Sequence, residues 1–98
     1  MAKEIVWRKK ANDRFREVTE YLNRKWSVKV AEEFVEIVLK KVELLKVFPG
    51  MGKSSAKKPG MKKLVLTKHN MLVYRIKEDK IILLNIYDTR WDSIKIEV

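Results

Sequence analysis

The sequence predicts an α+β fold, with two helices packed on one side of a mostly antiparallel sheet. Three observations predict it. A short apolar burst, Ile5-Val6-Trp7, opens the chain; two stretches of helical periodicity follow; three runs of strand character then come in close succession. Strand, helix, helix and a three-stranded antiparallel meander give the order β-α-α-β-β-β. The 98 residues are 46% hydrophobic with only 3 Gly and 2 Pro, enough for one packed core and too apolar for a disordered tail. A single domain over 1–98 is expected, with no repeat and no linker.

The first strand covers Ile5-Val6-Trp7. From Arg8 the period changes: Ala11, Phe15, Val18 and Leu22 fall at i, i+4, i+7 and i+11, one stripe of a helix. Asn23 to Trp26 is expected to break that helix. Ser27 is placed to cap a second one, whose apolar face is Ala31, Phe34, Val35, Val38, Val42 and Leu45. Two amphipathic helices with a short connection should form an antiparallel hairpin. Phe48-Pro49-Gly50-Met51-Gly52 ends the second helix, since Pro disfavours helix before it and the two glycines permit positive φ. The stretch 53–60 reads as a basic loop. Strands are expected over 62–67, 71–77 and 80–88, with turns at Lys68-His69-Asn70 and Glu78-Asp79. The last of them is apolar on both faces from Ile81 to Ile86, which suits a central position. The tail 93–98 reads as a short strand or docking segment.

Charge is the strongest signal. Lys and Arg number 23 against 13 Asp and Glu, a formal net charge of +10. The stretch 53–75 holds seven basic residues (Lys53, Lys57, Lys58, Lys62, Lys63, Lys68, Arg75) and no acidic one. Such a one-sign run repels itself, so it points to an anionic partner, either nucleic acid or an acidic protein; the alternative is a solubilising surface. With no cysteine, disulfides, Cys-ligated metals and thiol nucleophiles are excluded. The lone His69 argues against a His metal site or a Ser–His triad. No metal and no cofactor are expected. Arg8, Lys9 and Lys10 interrupt any leader-like stretch, and the longest charge-free apolar run, 81–87, is far too short to span a bilayer. A cytoplasmic protein with no membrane partner is the expectation.

These pieces together resemble the RelE/ParE superfamily of bacterial type II toxins. Val6-Trp7, Ala11 and Tyr21-Leu22 resemble its opening pattern, and Ala31 and Phe34 fit its second helix. Leu45 to Gly52 is similar to its Leu-x-x-x-Pro-x-x-Gly turn. Leu72-Val73-Tyr74-Arg75-Ile76 matches its Tyr-Arg strand, and Ile86-Tyr87-Asp88-Thr89-Arg90 sits where its last strand ends. The resemblance implies a toxin neutralised by a cognate acidic antitoxin whose flexible segment lies over helices and sheet.

The superfamily has two kinds of target, and fold does not choose between them. RelE-like members cut messenger RNA on the ribosome without metal, using cations for the developing charge and one group to move protons. ParE-like members inhibit DNA gyrase by contact. The resemblance makes Arg90 the candidate phosphate-stabilising arginine; pairing with Asp88 or Asp92 is its structural alternative. Lys53, Lys57 and Lys58 occupy the loop where the nucleases carry catalytic lysines, or form a solvated loop. His69 and Tyr87 are the proton-transfer candidates, against a structural role in a turn for His69 and a core role for Tyr87. Arg75 is either a contact residue or sheet-surface packing. Trp26 and Trp91 are candidate partner contacts, or rings capping the core edge. Two departures favour the ParE branch. Leu64-Val65-Leu66 stands where the nucleases carry an extra Arg, and Trp91-Asp92-Ser93-Ile94 replaces their Tyr. A non-toxic basic nucleic-acid-binding module is the third reading, weakened by the scarcity of aromatics on the strand faces.

Overall fold

A computed structural model describes residues 3–56 and 58–89. The order is β1 (Glu4–Trp7), α1 (Lys9–Lys25), α2 (Val28–Val47), β2 (Lys53–Ser54), β3 (Met61–Val65), β4 (Asn70–Lys77) and β5 (Lys80–Asp88). The strands form one mixed sheet in the order β1-β5-β4-β3-β2, with β1 parallel to β5 and the rest antiparallel. The α+β architecture is the expected one. β5 is interior, as its two apolar faces require, while β4 is the middle strand.

The helices follow their stripes. Ala11, Val18 and Leu22 of α1 and Ala31, Phe34, Val38, Val42 and Leu45 of α2 are buried. They meet the sheet face formed by Leu64, Leu72, Tyr74, Ile81, Leu83 and Ile86. The helix break comes later than the sequence predicts: α1 continues through Asn23, Arg24 and Lys25 and closes where the Trp26 and Ser27 amides donate to the Leu22 carbonyl. Arg24 and Lys25 suit a C-terminal turn, because cations there oppose the partial negative charge of the free carbonyls. Ser27 caps α2 as expected, its hydroxyl accepting from the Val30 amide at 3.1 Å.

Three expectations need correction. The stretch 53–60 is not all loop, because Lys53 and Ser54 pair with Lys63 and Lys62 as strand β2. The next strand is β3 over Met61–Val65, not 62–67. Its end is set by the turn, where the Leu66 amide and the Thr67 amide both donate to the Asn70 carbonyl and the Thr67 hydroxyl bonds Asn70 Oδ1 at 2.6 Å. The glycines after α2 also act differently. Gly60, at φ 86°, is the described glycine in the left-handed region. Gly52 instead allows a close approach, since a Cβ there would lie 2.7 Å from the Tyr74 hydroxyl.

On β5 an extra residue enters between the pairs Tyr74–Leu83 and Val73–Asn85. The helix-free face carries Val73 and Asn85, both buried although they stand apart from the helix-packed core. Among the described residues no helix is long and apolar enough to cross a membrane.

Candidate functional site

Strand register decides which cations share a surface. Leu72, Tyr74 and Ile76 of β4 point at the helices, so Met71, Val73 and Arg75 lie on the opposite face. Carried across the sheet, the pairings Lys53–Lys63 and Lys63–Val73 put Lys53 and Lys63 on that helix-free face, one row from Arg75 and Met61. Directly paired positions lie about 5 Å apart and diagonal ones about 7–8 Å. Lys63 therefore has Lys53 directly opposite and Arg75 on the diagonal, and the three are the corners of a cationic triangle that spans β2 to β4. The ion pairs described, Lys9–Asp13, Arg16–Asp13, Arg14–Glu17 and Lys46–Glu43, lie within the helices. None of the three triangle cations makes an ion pair among the described residues.

A hidden hydroxyl fixes the approach to this face. Tyr74 is fully buried; its hydroxyl donates to the Pro49 carbonyl at 2.8 Å and accepts from the Gly52 amide at 2.9 Å. Burial raises its pKa above the ordinary tyrosine range, against the opposing effect of the Gly52 amide. The turn that leads into Lys53 is thus tied to the middle strand.

A second surface runs beside the sheet. Because the Ser55 amide donates to the Met61 carbonyl, residues 61, 63 and 65 of β3 aim their backbone groups toward β2. β2 reaches only as far as Lys63, so the Val65 carbonyl lies beyond it and accepts from Lys41 Nζ at 3.2 Å. Ile37, Lys41, Leu44 and Phe48 fall at i, i+4, i+7 and i+11 along the same flank of α2, and Phe48 and Val65 are each 59% exposed. The result is a groove between an apolar helix flank and a partly open strand edge, to which Val65 contributes its backbone, while its side chain lies in line with Met61 and Lys63 on the helix-free face.

At the end of that flank lies a cleft of about 330 Å³, lined by Trp26, Val30, Ile37, Thr67, His69 and Asn70 among others. Trp26 is 67% exposed and His69 is half-buried. Beneath them the Asn70 side chain donates to the buried Asp88 carboxylate, and the Thr89 amide donates to the His69 carbonyl at 2.7 Å.

The structure therefore brings Trp26 and His69 together in one cleft, and puts Lys53 and Arg75 on one face of the sheet on either side of Lys63. It does not gather the described nuclease candidates into one site. Lys58 accepts from the Met61 amide at the start of β3, whereas His69 follows the other end of that strand. Half-buried Tyr87 pairs with Met71, two strands away from Lys63. Lys57, Arg90 and Trp91 lie outside the described residues, as does 93–98. The sequence reading missed Lys63, although the basic run contained the signal. It also missed the Ile37-Leu44-Phe48 stripe, whose helical spacing was legible but was hidden behind the stronger buried stripe. Among the described residues no group of His, Asp and Glu could hold a metal ion.

The family model for the ParE toxin of the type II toxin–antitoxin system parDE matches residues 5–92. The chain belongs to the ParE toxin family. This ParE-family chain is a type II toxin of the RelE/ParE superfamily. Its fold is similar to a protein of the chromosomal ParDE toxin–antitoxin system from P. aeruginosa, with TM-score 0.75 and 19% identity over 89% of this chain and 96% of that one. A YoeB/ParE toxin from Agrobacterium tumefaciens aligns with TM-score 0.64 and 16% identity over 87% of this chain and 96% of that one. A mutant of the E. coli toxin RelE in the free state aligns with TM-score 0.63 and 16% identity over 99% of this chain and 94% of that one. At these identities the likeness is one of fold, and it spans both branches of the superfamily. No curated protein matches the chain.

Proposed function

We propose that this toxin arrests growth by binding DNA gyrase in the cytoplasm, breaks no bond itself, and is held inactive by an acidic antitoxin, the arrangement of a plasmid-stabilisation pair. The observation that supports the gyrase reading is the separation of the described proton-transfer candidates from the described cations. A metal-free nuclease needs both within hydrogen-bond reach of one phosphate, and Lys58 and His69 stand at opposite ends of β3. Induced expression with pulse labelling is the test. DNA synthesis should stop within minutes while translation persists; early collapse of translation would sink the reading.

The ribosome-dependent messenger RNA endonuclease remains the second reading, favoured by the unpaired Lys53–Lys63–Arg75 triangle. On that reading Arg90→Ala abolishes cleavage of ribosome-bound messenger RNA, with Tyr87 or His69 moving the proton.

The antitoxin reading draws on the groove beside β3. Val65 offers backbone groups to an added strand, Ile37, Leu44 and Phe48 offer apolar contact, and Lys41 favours an acidic segment. Leu44→Asp should weaken capture by the antitoxin encoded beside the toxin gene at least tenfold while leaving the fold intact. Unchanged affinity would exclude this groove.

A further inference from the structure

Lys53 and Lys63 are directly paired across β2 and β3, an arrangement in which like charges oppose folding. Arg75 lies one strand and one row beyond Lys63, so Lys63 has a second cation within about one Debye length on its other side. No acidic side chain pairs with any of them among the described residues. We propose that this helix-free face is a second binding surface, separate from the groove beside β3, and that it grips the phosphate backbone of duplex DNA.

The chemistry of the surrounding face selects that ligand class. A protein partner would need exposed apolar or aromatic anchors, which carry most of the energy of protein interfaces. The triangle's described apolar neighbours are poor anchors: Val73 is buried, Met61 and Ile82 are half-buried, and exposed Val65 is of a residue type that rarely carries interface energy. Single-stranded RNA would need aromatic platforms. The aromatic that strand alternation puts on this face is Tyr87, half-buried and two strands from Lys63, because Tyr74 points into the core. An array of cations that has no exposed stacking group beside it among the described residues matches a regular phosphate backbone, where affinity is electrostatic and independent of sequence. The inference does not depend on gyrase being the target, and it fails or stands separately from that reading.

The test is fluorescence anisotropy of the purified full chain with a labelled 20-base-pair duplex across a salt series. Three engaged phosphates give a slope of log K against log salt near −2.7, a loss of about 40-fold in affinity between 50 and 200 mM salt. Lys53→Gln, Lys63→Gln and Arg75→Gln should each reduce that loss to about 12-fold. Lys10→Gln and Lys29→Gln, on the helices, should leave it at about 40-fold. Equal effects from the helix and sheet substitutions would overturn the proposal in favour of diffuse attraction by the net charge. So would tighter binding of a single-stranded RNA of equal length that is lost in Tyr87→Ala.

Discussion

Tyr74 carries more of the architecture than its place in an apolar strand announces. Its ring fills the core, and its hydroxyl satisfies two backbone groups of the 49–52 turn. Tyr74→Phe leaves the Gly52 amide and the Pro49 carbonyl without that partner, which should cost about 1–3 kcal/mol. For a domain of this size each kcal/mol lowers Tm by about 4–8 °C, so thermal denaturation reads it directly. The pH dependence follows from the raised pKa. The neutral hydroxyl belongs to the folded state, so its contribution is complete below about pH 10, where unfolded tyrosine begins to ionise. It is lost as pH climbs through the higher folded value. Denaturation profiles above pH 10 should therefore fall more steeply for the native protein than for Tyr74→Phe. Gly52→Ala probes the same contact from the other side: its Cβ would meet the Tyr74 hydroxyl at 2.7 Å and the Lys63 carbonyl at 2.9 Å. A cost of about 1–3 kcal/mol is expected, because one of the atoms met is backbone and yields little.

At the scale of elements, α2 carries two stripes with different work. Val38, Val42 and Leu45 face the core; Ile37, Leu44 and Phe48 lie on the flank beside β3. The adjacent residues Leu45 and Leu44 make a matched pair for experiment. Leu45 is fully buried, so Leu45→Ala should destabilise by about 2–5 kcal/mol in urea unfolding. Leu44→Ala should stay within about 0.5 kcal/mol, since Leu44 is half exposed in the free chain. Ser27→Ala removes the cap of α2 and should cost about 1 kcal/mol. β2 is the element most dependent on context. Two residues cannot form a strand alone, and Lys-Ser has little strand propensity, so its existence rests on the paired β3 edge and on Tyr74 holding the turn before it.

For the whole molecule, the sequence determined the fold class, which is written in local periodicity, and the order of its short motifs carried the family resemblance. Period-3.6 stripes specify α1 and α2, alternation specifies β4, a continuous apolar run specifies β5, and their order leaves few ways to bury the apolar face of each helix. It also determined the net charge of +10 and therefore an attraction to anions. It misjudged the end of α1, since Asn23 to Lys25 have no strong preference and the closing bonds to Leu22 depend on the turn after them. What only the tertiary structure decided is which charges and which apolar residues share a surface. Lys53 and Arg75 are 22 positions apart in the chain and come onto one face, each beside Lys63, through two strand pairings, whereas Lys58 and His69, closer in sequence, are separated by the length of β3. Sequence distance gives no warning of this, because strand register is a long-range property. It is fixed by Leu64, Leu72, Tyr74 and Leu83 choosing the helix side, and the cations take whatever face remains.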